Sequence, residues 1–345
     1  MITSPRIDIA TVADIAGLTA LRIQQEWWER GERLLRALLA WDGGRLLVIR
    51  AGVLDAPLAA GTTATTPIAV VGAVAAGATG VIGNVVVRGD YQRRGLARLL
   101  MNAALDWQRE RGVRTVWLDA TMDGRKLYRS LGFTDCEPSY YAKAPIDALR
   151  RDWLRRSAGD LRAELAAPDA LARIAALDTA AFGGDRIPLL AGVLREPETW
   201  LYLVADATGA ALGYLIARTL EPPLVGIRAG SWVAVDEAAA AALLAQLLAP
   251  DAPWRAVVTR QVGRNDGAGA PMIHISPPGN NPAALALVKN AGVAVTLDDL
   301  IMRLDFSDAT GVIHPAPQRV GQVYAWLAPM VFSARKLVVV GNNGQ

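Results

Sequence analysis

Apolar residues recur every three to four positions over Val12, Ile15, Leu18 and Leu21, and again over Leu34, Leu35, Leu38 and Leu39, which predicts two opening amphipathic helices. Asp14 puts a negative charge in the first turn of the first, where it suits the helix dipole. Between the two stripes, Glu26-Trp27-Trp28-Glu29-Arg30-Gly31-Glu32 sets two tryptophans among three carboxylates. After the Asp42-Gly43-Gly44 turn the pattern changes to aliphatic and β-branched runs at residues 46–49, 68–74, 81–87 and 115–118, each predicted to be a strand, with a loop of small residues over 51–67. Leu96, Leu99, Leu100, Ala103 and Trp107 share one helical face that ends near Gly112, a suitable C-cap, and residues 125–131 form a short helix stopped by Gly132.

The order then starts over. A charged stretch at 147–159, with Arg150, Arg151, Arg155 and Arg156, reads as a solvated helix face and a boundary. Beyond it Leu171, Ile174 and Leu177 mark a helix, 201–204 and 212–217 strands around a turn, and Ser231-Trp232-Val233-Ala234-Val235-Asp236 a strand running into an alanine-rich helix. Ala256-Val257-Val258-Thr259 is predicted as a further strand, 282–289 as a short helix and 301–304 as a closing strand. The division expected is 1–146, a linker at 147–159, a second unit at 160–306, and a tail at 307–345 of no assigned role.

The stretch richest in chemistry is 85–101. Val85, Val86 and Val87 feed a short polar turn, Gln92-Arg93-Arg94-Gly95-Leu96-Ala97, and a helix begins at once, so unpaired backbone N–H groups converge at its N-terminus, as an anion site requires. Gly95 lets the backbone approach a bulky phosphate, Ala97 keeps the first turn slim, and Arg93 and Arg94 add positive charge. The turn matches the Q/R-x-x-G-x-G/A signature of the GCN5-related N-acetyltransferases (GNAT), and Tyr128-Arg129-Ser130-Leu131-Gly132-Phe133 resembles that family's Y-x-x-x-G-F segment. Two motifs in the right order and on the right elements carry the resemblance over residues from about Arg6 to Lys143.

The resemblance implies an α/β fold, α+β by some schemes: two tandem acyl-CoA N-acyltransferase-like units, each a mixed, mostly antiparallel sheet flanked by helices. It also implies acetyl-CoA as donor. Backbone groups of Val85, Val86 and Val87 would bind the pantetheine arm, and Gln92, Arg93, Arg94, Gly95, Leu96 and Ala97 the pyrophosphate. Tyr128 would stand beside the leaving sulfur as acid; its ordinary alternative is a buried ring packed on Leu127 and Leu131. Asp119 and Glu26 are the preferred bases for an amine that must lose a proton. Trp27, Trp28 and Glu29 fall where the family's first helices line the acceptor pocket, although tryptophans at such spacing more commonly pack. In the second unit the matching position holds Glu237-Ala238-Ala239-Ala240-Ala241-Ala242, without glycine or arginine, and Asp236 and Glu237 would repel a pyrophosphate, so one donor site per chain is expected. Residues 181–186, Ala-Phe-Gly-Gly-Asp-Arg, resemble a segment of bacterial two-domain proteins of this kind.

Composition narrows the alternatives. With 52% hydrophobic and 20% charged residues the chain can build large cores and is not disordered. Lys and Arg (36) barely exceed Asp and Glu (33), without like-charge blocks, so neither nucleic acid nor a membrane surface is an expected partner. One cysteine, Cys136, excludes an intramolecular disulfide and is read as a packing residue; with two histidines, no metal is expected. His274, alternating with apolar residues, reads as a satisfied sheet residue. The reading is a cytoplasmic enzyme, with a homodimer left open, that transfers acetyl from acetyl-CoA directly to a primary amine of a small molecule. A protein N-terminal or lysine acetyltransferase and a non-catalytic acyl-CoA sensor are the alternatives.

Overall fold

The computed structural model describes residues 5–24, 31–53, 62–264, 269–307 and 323–325. Glu26, Trp27, Trp28 and Glu29 lie outside the described residues. The first half runs β1 (Asp8–Ile9), α1 (Ile15–Gln24), α2 (Glu32–Leu39), β2 (Gly44–Arg50), β3 (Pro67–Ala76), β4 (Thr79–Val87), α3 (Leu96–Glu110), β5 (Thr115–Ala120), α4 (Arg125–Ser130) and β6 (Thr134–Pro145). The second runs α5 (Arg151–Ala158), β7 (Ala163–Ala166), α6 (Leu171–Phe182), α7 (Ile187–Arg195), β8 (Thr199–Ala205), β9 (Ala211–Thr219), β10 (Gly226–Ala234), α8 (Glu237–Leu247), α9 (Trp254–Gly263), β11 (Met272–Ile275), α10 (Pro282–Asn290) and β12 (Ala294–Asp305), followed by β13 (Val323–Ala325).

The thirteen strands among the described residues share one sheet in the order β1-β2-β3-β4-β5-β12-β6-β11-β10-β9-β8-β7, with β13 on β10. From either end the order is the same: five strands, then the last long strand of the other half, then the half's own. β12 is antiparallel to both β5 and β6, and β6 is antiparallel to β11. The strand predicted to close the second half therefore sits inside the first. Each half has one parallel pair, β4 with β5 and β10 with β11, and the remaining pairings are antiparallel.

Helices cover the sheet according to which residues alternate inward. One core joins Leu18, Leu35, Leu38, Ile174 and Leu190 of α1, α2, α6 and α7 to Val48, Val70, Leu203 and Ile216 of strands from both halves. A second packs Leu100 and Ala104 of α3 on Ile82 and Val116, and a third packs Leu154, Leu243, Leu244 and Leu287 of α5, α8 and α10 on Ile227 and Ile273. Every residue of β3 is buried, so it reads as a continuous apolar run rather than an alternating one.

Two local readings are corrected. Residues 256–259 are helical, within α9: Trp254 and Val258, four apart and both buried, face the core together, and Trp254 Nε1 donates to Leu247 O at 2.7 Å. A short apolar run is ambiguous in sequence, and here tertiary packing selects the 3.6-residue period. Cys136 is exposed, not packed, because β6 shifts register against β12 beside it, between Glu137 and Asp135. His274 is buried in β11, with Nδ1 and the Tyr141 hydroxyl 2.6 Å apart.

The segment 181–186 fastens the halves together. Gly183 ends α6 at a φ of 86°, its carbonyl accepts from Thr79 Oγ1 at 3.0 Å, and a Cβ on Gly184 would lie 1.8 Å from the Ala76 carbonyl oxygen. Arg186 is buried against Asp178, with Nε 3.1 Å from both carboxylate oxygens, Nη2 2.8 Å from Oδ1, and Nη2 also donating to the Tyr214 hydroxyl at 3.0 Å. The glycines and the arginine of this segment are explained by packing.

Candidate functional site

The parallel strands β4 and β5 stay paired only from Thr79↔Thr115 to Ile82↔Leu118. Beyond Ile82, Asn84 takes a φ of 49° at a register shift against β3, and the strand turns away from β5. Val86 and Val87 remain bonded to β3 on one side. On the β5 side, residues 83–87 face no strand among the described residues. A split of this kind leaves backbone donors and acceptors aimed into a cleft that an extended polar ligand can satisfy.

The cleft leads to the turn before α3. Arg93 (φ 60°) and Gly95 (φ 80°) are both left-handed, and successive amides in such a turn point to one side and form a concave anion site. A Cβ on Gly95 would meet nothing within 4 Å, so its glycine answers to backbone conformation and to whatever approaches from outside. Gln92, Arg93, Arg94 and Gly95 are exposed, whereas Leu96 is buried with its side chain in the core beneath the turn, leaving only its backbone for a ligand. Arg94 lies over the Tyr91 ring at 5.1 Å and donates to Asp90 O at 3.1 Å; Arg88 stacks on the same ring and pairs with Asp90 at 2.7 and 2.8 Å. Gln92 Nε2 donates back to Val87 O at 3.1 Å. The basic turn is thus held in shape by its own residues.

At the other end of the cleft, α4 places Tyr128 against Phe133, the two rings edge-on with centroids 6.1 Å apart. Burial first, then the negative charges of Asp119 and Asp299, push the Tyr128 hydroxyl far above its usual pKa, so it remains a proton donor at any physiological pH. Asp119, near the end of β5, accepts from Ser139 Oγ at 3.0 Å. Asp299 comes from β12, buried and in register with Ser139 of β6. The structure thus gathers Asp119 and Tyr128, 9 residues apart in the chain, with Ser139 and Asp299 brought in by the exchanged strands. Asp299 and Ser139 carry no sequence signal: neither belongs to a motif, and each lies in a strand whose neighbours are set by long-range pairing.

Glu137 is a further residue the sequence does not single out. It is buried on the same face of β6 as Ser139, and its Oε2 accepts the Asn280 N–H at 2.6 Å. Burial raises its carboxyl to a pKa of about 7, with the Asn280 N–H opposing the shift. Folded protein then keeps a proton that unfolded chains lose near pH 4.5, and stability falls as pH rises from about 4.5 to 7 and stays reduced above. Glu137→Gln, which keeps the acceptor, is expected to flatten that slope and raise stability at pH 8 by up to about 3 kcal/mol. Urea unfolding of both proteins at pH 5 and pH 8 checks it; a gain equal at both pH values contradicts it.

Among the described residues no group of three or more His, Cys, Asp or Glu side chains is placed to hold a metal ion, and no helix is long and apolar enough to cross a membrane. The fold is that of the GNAT acyltransferases, a mixed, mostly antiparallel sheet flanked by helices, and the family model described as "Acetyltransferase (GNAT) family" matches residues 14–133. The chain carries a GNAT-family acetyltransferase domain.

In particular, the chain is 39% identical over 66 residues to the [ribosomal protein bS18]-alanine N-acetyltransferase of Salmonella typhimurium, covering 18% of this chain and 45% of that protein. It is 42% identical over 55 residues to the Escherichia coli K12 protein of the same name, covering 15% and 37%. The matched stretches span less than half the length of these curated relatives. A putative acetyltransferase from Pyrococcus horikoshii superposes with a TM-score of 0.65 at 19% identity, covering 94% of this chain and 95% of that one. A tandem GNAT protein from the clavulanic acid biosynthesis pathway superposes with 0.56 at 12% identity, covering 88% and 100%. At these identities the structural likenesses speak for the fold.

Proposed function

We propose that the protein is a tandem N-acetyltransferase that moves an acetyl group from acetyl-CoA to a primary amine of a small molecule by direct transfer, with a single donor site in the first half. The observation that carries this is the open β4 edge running from Val85 to Val87 into the left-handed turn at Arg93 and Gly95. In this reading backbone groups of Val85, Val86 and Val87 hold the donor's arm, and the amides from Arg93 to Ala97, with the Arg93 and Arg94 charges, hold its pyrophosphate. When bound, the donor supplies the acetyl thioester. Asp119 takes the proton from the incoming ammonium, and the Tyr128 hydroxyl donates to the departing sulfur. Asp299 is the second carboxylate beside Tyr128, contributed by the second half.

A second reading is favoured by the curated relatives, which are named as ribosomal-protein alanine N-acetyltransferases: the acceptor is then a polypeptide N-terminus. Calorimetry with acetyl-CoA tests the donor site. Gly95→Val forces a β-branched residue into a left-handed position and puts its side chain on the open face of the turn, so donor affinity is expected to fall at least tenfold. Unchanged binding in that variant, or no binding by the wild type, refutes the site. A thiol-release screen of amino acids, polyamines, aminoglycosides and alanine-starting peptides then separates the two acceptor readings.

A further inference from the structure

The internal symmetry sets β10 in the place of β4. Ser231 of β10 has a φ of 49°, as has Asn84 of β4, and each lies at a register shift against the preceding antiparallel strand. In each half the parallel neighbour stops just before: β5 pairs with β4 as far as Ile82, and β11 pairs with β10 as far as Ala229. Both halves therefore build the same split between their parallel strands.

Beyond the split they differ. The β4 edge bears no strand among the described residues and leads to the open turn at Gly95. On β10, β13 is paired antiparallel, with Trp232 opposite Ala325 and Val233 opposite Val323. At the end of β10 there is no turn of glycine and arginine: Asp236 accepts the Ala239 N–H at 2.8 Å with its own side chain, and Glu237 occupies the first turn of α8. The N-terminus of α8 is thus already capped by a carboxylate, and a second negative group there is disfavoured.

We infer that the split of the second half is a strand-binding site whose occupant is the chain's own segment at Val323–Ala325. This segment fills the cleft that the first half keeps open; calling that cleft a donor cleft rests on the proposed function, whereas its occupation by β13 does not. Backbone pairing satisfies the exposed edge of β10, which otherwise is a template for another chain. The device limits the protein to one donor per chain and protects the second half from edge-to-edge association.

The test uses the full chain with Cys136→Ser, Val233→Cys and Val323→Cys. Residues directly opposite in an antiparallel pair have Cα atoms about 4.5–5.5 Å apart, within the range a disulfide spans. Mild oxidation is expected to cross-link most chains, and a Val86→Cys, Val323→Cys control to leave them uncross-linked. A chain ending at Ser307 is expected to bind a labelled synthetic peptide of residues 318–330 or to dimerise, and the full chain to do neither. Acetyl-CoA calorimetry is expected to give one donor per full chain, cross-linked or not.

Absence of the Val233–Val323 cross-link, equal cross-linking in the control, or two donors per full chain overturns the inference. So does a folded truncated chain that stays monomeric and binds no peptide. If the truncated chain fails to fold, the cross-link decides alone. Cross-linking without any acetyl-CoA binding overturns the proposed function and leaves the strand site standing.

Discussion

Tyr128→Phe is expected to lower turnover with acetyl-CoA by about 10²- to 10⁴-fold, the usual contribution of a positioned proton donor, while donor affinity changes little. The substitution removes one oxygen and keeps the ring that packs edge-on to Phe133. The hydroxyl carries its proton throughout because burial, then the carboxylates of Asp119 and Asp299, disfavour the phenolate. For the same reason wild-type turnover is expected to show no alkaline loss from this group across the range where an ordinary tyrosine ionises, near pH 10. Thiol release by wild type and variant from pH 6 to pH 10, beside acetyl-CoA calorimetry, measures both points. Turnover within twofold of wild type removes Tyr128 from the mechanism.

The second large effect concerns stability. Asp178→Ala is expected to cost about 3–5 kcal/mol, because it leaves Arg186 charged, buried and without its carboxylate. The loss reaches beyond one side chain. Arg186 precedes α7 and its partner lies on α6, so the pair fixes the turn whose Gly183 and Gly184 rest on the β3–β4 hairpin of the other half. Asp178→Asn, which retains an acceptor, should lose less, and the double variant Asp178→Leu, Arg186→Met should recover much of the loss by removing both charges. Denaturant unfolding of the four proteins measures this; an alanine variant within 1 kcal/mol of wild type contradicts it.

Much of the first half is legible along the chain because its signals are short-range. The periods of α1, α2 and α3, the aliphatic runs of β2 to β5, and the glycines at 95, 112 and 132 each depend on a few neighbouring residues, and the structure places helices, strands and left-handed turns there. The turn from Gln92 to Ala97 is of this kind: a strand, two left-handed residues and a helix start are contiguous in sequence. The helix at 254–263 is not legible, since three apolar residues and a threonine at 256–259 suit either period until Trp254 and Val258 meet a core.

The sequence by itself determined most helices and strands of the first half, the repeated order of the second and the backbone form of the turn at Arg93 and Gly95, because backbone preference and hydrophobic period act over short stretches of chain. Only the tertiary structure decided which strands adjoin. The register of β12 against β5 and β6 joins residues more than 150 positions apart, and that pairing brings Asp299 and Ser139 to Asp119 and Tyr128. It also decided which of two like clefts stays open, since β13 returns to β10 and not to β4. Strand pairing uses backbone groups that every residue carries, so partner choice is written in the packing of the whole chain and not in any one stretch of it.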